Sequence, residues 1–368
     1  MLGGKGKMKK QYYSLKKILQ ENADYNIIIG ERSNGKTYAV LEHIITDYVK
    51  TGNTGAYIRR WKDDLIGKRA ETVFNSFVET GAILKLTNNE YDNIIYSKGK
   101  WHLAKYDNET KKMRADITPF CYAFTLSDME HDKSTSYPTV QNIVFDEFLT
   151  RRYYLPDEFI LFMNVLSTII RDRENVKIFM LGNTVNKYCP YFDEMGLNNI
   201  TSQAQGTIDI YSYPNNLKIA VEYCGENQNK KKSNKYFAFN NSRLNMITSG
   251  KWELAIYPHL PIGYKIKQNE IVFTFYIVFN NKKIACDVIN KDSDFFVFCH
   301  FKTTEIKENE LIYTLDYTPK NNVRKTFLQP IDKTDNKIKA LFGGNRIFYQ
   351  SNDIGEIIHN YLLSCVKS

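Results

Sequence analysis

The sequence lacks the signals of several protein classes. Its six cysteines include no CxxC pair, which argues against a zinc site or a disulfide framework and predicts free thiols in buried cores. No stretch approaches the roughly 18–20 uncharged apolar residues that a membrane span requires. The basic N-terminal residues contain no apolar segment typical of a secretory signal. These absences predict a cytoplasmic protein with no membrane partner.

Arginine is also scarce, since it supplies only 12 of the 50 basic residues. The formal net charge is nevertheless +9, which favours a polyanionic partner such as nucleic acid. The chain is rich in Lys, Asn, Ile and Tyr, as expected from AT-rich coding DNA, so part of the basicity reflects composition alone. With 368 residues, the chain is long enough for two domains, each with its own core.

A phosphate-binding loop is the most specific motif. The segment GERSNGKT matches GxxxxGKT, follows the apolar run Ile27–Ile29 and precedes an amphipathic stretch that predicts a helix over 36–48. Backbone N–H groups of such a loop cradle phosphates, Lys36 reaches the β and γ phosphates, and Thr37 ligates Mg2+. The predicted nucleotide-binding residues of the loop are Gly30, Glu31, Arg32, Ser33, Asn34, Gly35, Lys36 and Thr37.

Two carboxylates end a second apolar strand, VQNIVFDEF. Asp146 is predicted to hold Mg2+ beside Thr37, on the expectation that its strand neighbours the strand of the phosphate loop. Glu147 is predicted to orient and deprotonate the attacking water, which favours an ATP-hydrolysing motor over a small-molecule kinase. Asn183, at the end of VKIFMLGN, is a candidate contact to the γ-phosphate; as an isolated Asn it also fits an ordinary turn.

Hydrolysis also requires positive charge on the γ-phosphate, which ring ATPases often supply from a neighbouring subunit. Arg171 and Arg173, in STIIRDRENV, precede the fourth strand, a region that commonly lies at a subunit edge in such rings. The alternative interpretation is that both are solvated charges at a helix end.

The order of these motifs predicts an α/β fold with a doubly wound, mainly parallel sheet. Alternating segments between about residues 83 and 124 predict a β-hairpin elaboration with a turn at Ser97–Gly99, and apolar spacing after Pro156 predicts a helix. The polar stretch with Lys230, Lys231, Lys232 and Lys235 is the best linker candidate, and a short helix is predicted over 242–246. A β-meander from residue 269 and a closing helix predict a second domain. The predicted boundaries are 1–212 for the motor domain, 213–262 for a linker or lid and 263–368 for the C-terminal domain.

Four segments of the chain resemble the podovirus DNA encapsidation proteins, the genome-packaging ATPases of small tailed phages. They are GERSNGKT, AYIRRWKDDL, DKSTSYPTVQNIVFDEF and RDRENVKIFMLGNTVNKYCPYF, in the family's order over the first 195 residues. The resemblance implies a P-loop ASCE ATPase core and a smaller C-terminal α/β domain, RNase H-like and vestigial as a nuclease. It further implies a homo-oligomeric, pentameric ring that acts in the host cytoplasm, docks on the capsid portal of the prohead and pumps double-stranded DNA, with a packaging RNA as a further candidate partner.

The resemblance also assigns roles to individual basic residues. It implies that Arg171 is an arginine finger acting in trans and that Lys133 is a second trans-acting or coordinating cation. It places Lys62, Arg151 and Arg152 near the DNA channel, where sequence-independent phosphate contacts would grip the duplex. Taken alone, these three residues fit solvated surface charges better.

Other interpretations stay open at this point. Asp287, Asp294, Asp316 and Asp353 could form a two-metal nuclease site, although loop and strand-edge acids on a docking domain fit the pattern better. The whole chain could be a helicase-like or repair ATPase without a capsid, a nucleotide-binding scaffold, or a small-molecule kinase.

Overall fold

The computed structural model describes residues 12–131, 135–150, 154–184, 189–200, 202–225, 257–316 and 318–367. They form two compact units: the described residues of 12–150, 158–184 and 191–225 make the first, and 257–367 make most of the second. Across the described residues, no helix has both the length and the apolar character needed to cross a membrane.

The first unit is built on a sheet to which ten described strands belong, in the order β3-β4-β6-β2-β7-β8-β1-β10-β9, with β5 paired to β4. The strands are β1 Tyr25–Gly30, β2 Thr54–Arg59, β3 Asn93–Ser97, β4 Lys100–Asp107, β5 Lys112–Ala115, β6 Cys121–Thr125, β7 Val140–Asp146, β8 Lys177–Asn183, β9 Ile208–Ser212 and β10 Lys218–Tyr223. The run from β6 to β10 is parallel, whereas β9 and the β3–β5 extension are antiparallel. The central strands are buried along nearly their whole length, as expected of a parallel sheet covered on both faces.

The helices of the first unit are α1 Lys16–Gln20, α2 Lys36–Thr51, α3 Lys68–Glu71, α4 Asn75–Glu79, α5 Ala82–Leu86, α6 Glu158–Ile170 and α7 Pro190–Glu194. Helix α2 packs Val40, Leu41, Ile44 and Ile45 into the core. A Cβ on Gly55 of β2 would lie 2.6 Å from Cγ2 of Ile44, so a glycine is required where this helix crosses the strand. The close crossing fixes α2, and with it the loop at its N-terminus, against the sheet.

The β-hairpin predicted from the sequence is present as β3 and β4. Its two turn residues, Lys98 and Gly99, have φ values of 49° and 75°, the two positive values that a tight hairpin turn with matching twist requires. The start of the same predicted region differs, because Ala82–Leu86 forms α5 and not a strand. Ile83 is fully buried there, so a short helix satisfies the apolar pattern that favoured a strand.

The order of the central strands corrects one expectation. Strand β8 lies between β1 and β7 and pairs in parallel with both, so the strand of the phosphate loop and the strand of Asp146 are not neighbours. The three strand ends still meet at one edge of the sheet, because parallel strands share their carboxyl edge.

The segment from residue 213 onward also differs from the prediction of a linker. Residues Lys218–Tyr223 form β10, which pairs in parallel with β1. Ala220 and Val221 are fully buried, because an apolar strand that is paired on both sides within a sheet must be covered on its faces. The first sheet therefore extends past residue 212. The predicted lysine-rich linker and the helix over 242–246 lie outside the described residues.

The second unit contains the predicted meander and closing helix. Its sheet has the order β15-β14-β11-β12-β13-β16, with β11–β13 antiparallel and β14 and β16 added in parallel to β11 and β13. Its elements are β11 Ile271–Phe279, β12 Lys282–Lys291, β13 Asp294–Phe301, β14 Ile312–Thr314, β15 Val323–Arg324, α8 Lys333–Gly343, β16 Ile347–Tyr349 and α9 Asn352–Lys367. Two parallel strands, β14 and β15, thus lie beside the first meander strand, and β16 lies beside the last. The predicted α/β fold with a mainly parallel sheet and a smaller second domain is confirmed, and the RNase H-like character of that domain stays a prediction.

The six cysteines are buried, as the sequence predicted. They lie in the cores of both units, and burial raises the pKa of the Cys224 thiol to about 12. Cys286 and Cys299 face each other across β12 and β13 with their sulfur atoms 3.6 Å apart.

Candidate nucleotide-binding site

A cleft of about 460 Å³ opens where β1, β7 and β8 end. Ligands of open α/β sheets bind at this carboxyl edge. The lining residues are Arg32, Ser33, Asn34, Gly35, Lys36, Thr37, Tyr38, Asp146, Glu147, Leu181, Gly182 and Asn183. The cleft therefore brings together most of the residues predicted from the phosphate loop and from the second motif.

The backbone of the loop requires glycine at its first position. Gly30 has a φ of 156°, and a Cβ there would lie 2.8 Å from Cβ of Cys224. Gly35, with a φ of 98°, is the N-cap of α2. The loop thus turns directly into the helix, whose first N–H groups point to an anion.

Lys36 is almost fully buried at the mouth of this loop. Its Nζ donates hydrogen bonds to the Glu31 carbonyl at 2.7 Å, to Oδ1 of Asn34 at 3.2 Å and to Oδ1 of Asn183 at 3.4 Å. Asn183 ends β8, the strand between β1 and β7, so this candidate contact to the γ-phosphate lies within hydrogen-bond distance of the loop lysine. These acceptors hold the ammonium group where phosphate oxygens could replace them.

Thr37 and Asp146 also meet in the cleft. The Thr37 hydroxyl donates to both carboxylate oxygens of Asp146 at 3.3 Å, and the Tyr57 hydroxyl donates to Oδ2 at 2.8 Å. Burial raises the pKa of Asp146, and the Arg59 guanidinium opposes this shift. A hydroxyl and a carboxylate are hard oxygen ligands beside a phosphate loop, so this pair fits Mg2+ and the ion would offset the burial of the charge.

Glu147 turns out of the strand that ends at Asp146. Its φ of 59° is left-handed, and its side chain is 51% exposed. The carboxylate is held by Arg59, whose NH2 lies 2.7 Å from Oε2 of Glu147. The same guanidinium lies 3.3 Å from Oδ2 of Asp64 and 3.8 Å from Oδ2 of Asp146. Arg59 thus links the two acids of the motif.

Sequence reasoning missed Arg59 and its neighbour Arg60. Arg59 ends β2 and Arg60 follows it, in a segment for which only Lys62 received a role. Two consecutive arginines in a chain that uses arginine sparingly are the signal that could have identified them.

Arg171 and Arg173 lie at the opposite edge of the sheet. NH2 of Arg171 donates to the Thr135 carbonyl at 3.0 Å, ahead of the start of β7 at Val140. Since Asp146 ends that strand, about 20 Å separates this edge from the cleft, at roughly 3.3 Å per residue. Neither arginine can reach the cleft of its own chain.

The two arginines differ in what surrounds them. The Arg173 guanidinium donates to the backbone carbonyls of Pro138, Val140, Ile169 and Ile170, and burial lowers its pKa. Arg171 is exposed and has a left-handed φ of 52° at the end of α6. Arg173 therefore ties α6 to the start of β7, and only Arg171 presents its charge outward.

Lys62 begins a short 3-10 turn after β2. Its Nζ lies 2.5 Å from Oδ2 of Asp128, and the side chain is 60% exposed. An exposed pair of this kind contributes little stability, so Lys62 is available to an incoming anion. Lys133, Arg151 and Arg152 lie outside the described residues.

Three of the four candidate nuclease acids of the second unit have separate partners. Asp287 accepts from Thr274 and lies 3.0 Å from Nε2 of His300, and Asp294 pairs with Arg346 at 2.6 Å. Asp316 accepts from the Thr314 hydroxyl. Within the described ranges, no group of three or more His, Cys, Asp or Glu side chains is placed to hold a metal ion.

Comparison with known proteins places the chain among phage proteins. The model of the family described as Podovirus DNA encapsidation protein (Gp16) matches residues 8–231. The DNA packaging protein of Bacillus phage B103 is 32% identical over 175 residues, 47% of this chain and 48% of that protein. The DNA packaging protein of Bacillus phage phi29 is 29% identical over 187 residues, 50% of each. The match thus spans about half the length of these relatives.

The fold is shared over a longer stretch. A chain of the Phi-28 gp11 DNA packaging motor superimposes with a TM-score of 0.58 at 19% identity, covering 97% of this chain and 98% of that one. A chain of the bacteriophage Phi-29 viral genome packaging motor assembly gives a TM-score of 0.57 at 19% identity, covering 96% and 99%. With more than half of its residues matched by the family model, this chain belongs to the podovirus DNA encapsidation protein family.

Proposed function

We propose that this protein is an ATP-hydrolysing motor that translocates double-stranded DNA into a preformed prohead. The observation that carries the proposal is the cleft in which Lys36, the Thr37–Asp146 pair and Glu147 meet. Membership of the encapsidation family supports the same function, as do relatives named DNA packaging proteins.

Five residues of the cleft have proposed tasks in hydrolysis. Lys36 exchanges its carbonyl and amide acceptors for β and γ phosphate oxygens of ATP, and Asn183 lies beside it to contact the γ-phosphate. Thr37 and Asp146 would hold Mg2+, which neutralises charge on the phosphates when bound. Glu147 accepts a proton from water as the water oxygen bonds to the γ-phosphorus, and the bond to the bridging oxygen breaks to release ADP and phosphate.

The position of Arg171 supports a ring in which each cleft is completed by a neighbouring copy. An exposed arginine about 20 Å from the cleft of its own chain can stabilise the transition state only from another subunit. A homo-oligomeric ring, proposed to be a pentamer, provides that geometry. Lys133 would supply a second cation. The capsid portal and a packaging RNA are the proposed docking partners, and the second unit is the proposed docking domain.

The test is ATPase activity of the full chain alone, with double-stranded DNA, and with DNA plus empty proheads. A packaging motor is expected to respond to both additions. Stimulation by DNA without any response to proheads would instead favour the helicase-like or repair ATPase, and no hydrolysis under any condition would favour the nucleotide-binding scaffold. Phosphate transfer to a soluble acceptor would identify a small-molecule kinase.

The proposed DNA contacts predict how steeply DNA affinity depends on salt concentration. The residues concerned are Lys62, Arg151 and Arg152. If each neutralises one phosphate, replacing all three with Ala should reduce the slope of log affinity against log salt by about 2.7, since each contact contributes about 0.9. Binding is measured by fluorescence anisotropy over a salt series. Replacing the exposed Lys85, Lys105 and Lys111 with Ala removes the same charge and is the matched control. Equal slopes for the two triple variants would contradict the assignment.

A further inference from the structure

The backbone at Glu147 is unusual for the end of a strand. Successive residues of a strand point to opposite faces, yet Asp146 and Glu147 both line the same cleft. The left-handed φ of 59° at Glu147 makes this possible, because it turns the chain immediately after Asp146. A residue with a Cβ adopts this conformation only when its surroundings hold it there.

Oδ1 of Asp146 accepts from the Glu147 N–H at 3.0 Å, and Arg60 holds the carbonyl side of this turn. Its NH1 donates to the Glu147 carbonyl at 3.2 Å, and its NH2 donates to the Phe148 carbonyl at 2.7 Å. The Phe148 N–H in turn donates to the Leu181 carbonyl of β8 at 3.2 Å. One guanidinium therefore fixes two consecutive carbonyls directly after the motif.

Arg60 is itself fixed by Glu158, the first residue of α6. Nε and NH2 of Arg60 donate to the two carboxylate oxygens of Glu158 at 2.7 and 2.8 Å, and the Tyr191 hydroxyl donates to Oε1 at 2.9 Å. Arg60 is 5% exposed and Glu158 is 2% exposed. A bidentate, buried pair of this kind is rigid, and removal of either partner would leave a buried charge uncompensated.

Arg59, which ends β2, and Arg60, which follows it, thus contact Glu147 in different ways. Arg59 binds its carboxylate, whereas Arg60 binds its main chain. We propose that Arg60 is a positioning residue for hydrolysis, which with Glu158 holds the Glu147 backbone in the turn that directs its carboxylate into the cleft. This inference rests on the proposed ATPase function.

The first test is Arg60→Lys in the full chain. Lysine keeps the charge beside Glu158 but lacks the planar fork that reaches both carbonyls. We expect kcat for ATP to fall at least about tenfold, with KM and nucleotide affinity within about threefold of wild type, because the phosphate loop is untouched. Faster amide exchange at Phe148, measured by mass spectrometry, is expected in the same variant.

A second variant separates positioning from stability. In Arg60→Met with Glu158→Met, the buried charges are replaced by apolar side chains of similar length, which is often tolerated in cores. A merely structural pair predicts that a folded double variant recovers wild-type kcat, whereas positioning predicts that kcat stays low. Arg324→Lys, which alters a similar arginine between Asp332 and Asp335 in the second unit, is the control and should change the melting temperature but not kcat.

Three outcomes are distinguishable. If the kcat of Arg60→Lys is within twofold of the wild-type value and amide exchange at Phe148 is unchanged, the positioning role is overturned. A wild-type chain that binds but does not hydrolyse ATP overturns the proposed function, and the exchange measurement then still decides whether Arg60 holds the turn. Low kcat in both Arg60 variants, with normal nucleotide affinity, supports both.

Discussion

Replacing Arg171 with Ala is expected to lower the kcat for ATP by about 10³-fold, the lower end of the effect of removing an arginine finger. The reason is that its guanidinium would lie on the γ-phosphate of a neighbouring subunit, where charge develops in the transition state. Nucleotide affinity should change much less than kcat, because the charge that Arg171 would stabilise develops mainly in the transition state. Steady-state phosphate release and binding of a fluorescent ATP analogue measure the two quantities.

Mixing experiments distinguish a trans from a cis arrangement. Rings formed from equal amounts of Arg171→Ala and Glu147→Gln subunits contain some sites with an intact Glu147 from one subunit and an intact Arg171 from the next. Random mixing in a closed ring makes roughly a quarter of the sites intact, so activity should return from two inactive variants. A mixture as inactive as its components would contradict the trans assignment. Arg173→Lys is the control, since Arg173 contacts backbone carbonyls. This variant should lower the melting temperature and leave kcat nearly unchanged.

Replacing Glu147 with Gln is expected to lower kcat by about 10²–10⁴-fold, the range for loss of a general base. ATP binding should persist, because Lys36, Thr37 and Asp146 are unchanged. A motor would then bind ATP yet fail to move DNA, whereas a scaffold would keep its partner interaction. Single-turnover hydrolysis and DNA translocation into proheads measure the two functions.

Glu90→Gln, an exposed glutamate elsewhere in the first unit, is the matched control for the charge change. Normal DNA movement by the Glu147→Gln variant would remove Glu147 from the mechanism.

The strand and helix around the phosphate loop, and the strand that ends at Asp146, could be predicted from the sequence because their signals are local. The spacing of GERSNGKT defines the loop, and the carboxylates after IVF mark the end of a buried strand. The lateral order of strands carries no such signal. Strands β7 and β8 have similar apolar patterns, so nothing in either predicts that β8 lies next to β1. Order depends on the connections between strands, which spacing does not specify.

Arg59 and Arg60 show a second limit of prediction from sequence. Arg59 and Arg60 are adjacent, but one reaches the cleft and the other reaches a buried glutamate 98 residues later in the chain. Burial of a charged pair depends on tertiary contacts, so the local pattern of apolar and polar residues does not predict it. The same is true of β10, whose parallel pairing with β1 becomes apparent only when the sheet is assembled.

The buried thiols have a practical consequence for following this protein as it works. All six cysteines are inaccessible, and burial raises the pKa of Cys224 to about 12, so little reactive thiolate forms near neutral pH. Maleimide dyes should therefore leave the native chain almost unlabelled. A single cysteine introduced at an exposed position such as Lys85 would carry one fluorophore without prior removal of native residues. The wild-type chain serves as the unlabelled control for distance measurements in the proposed ring.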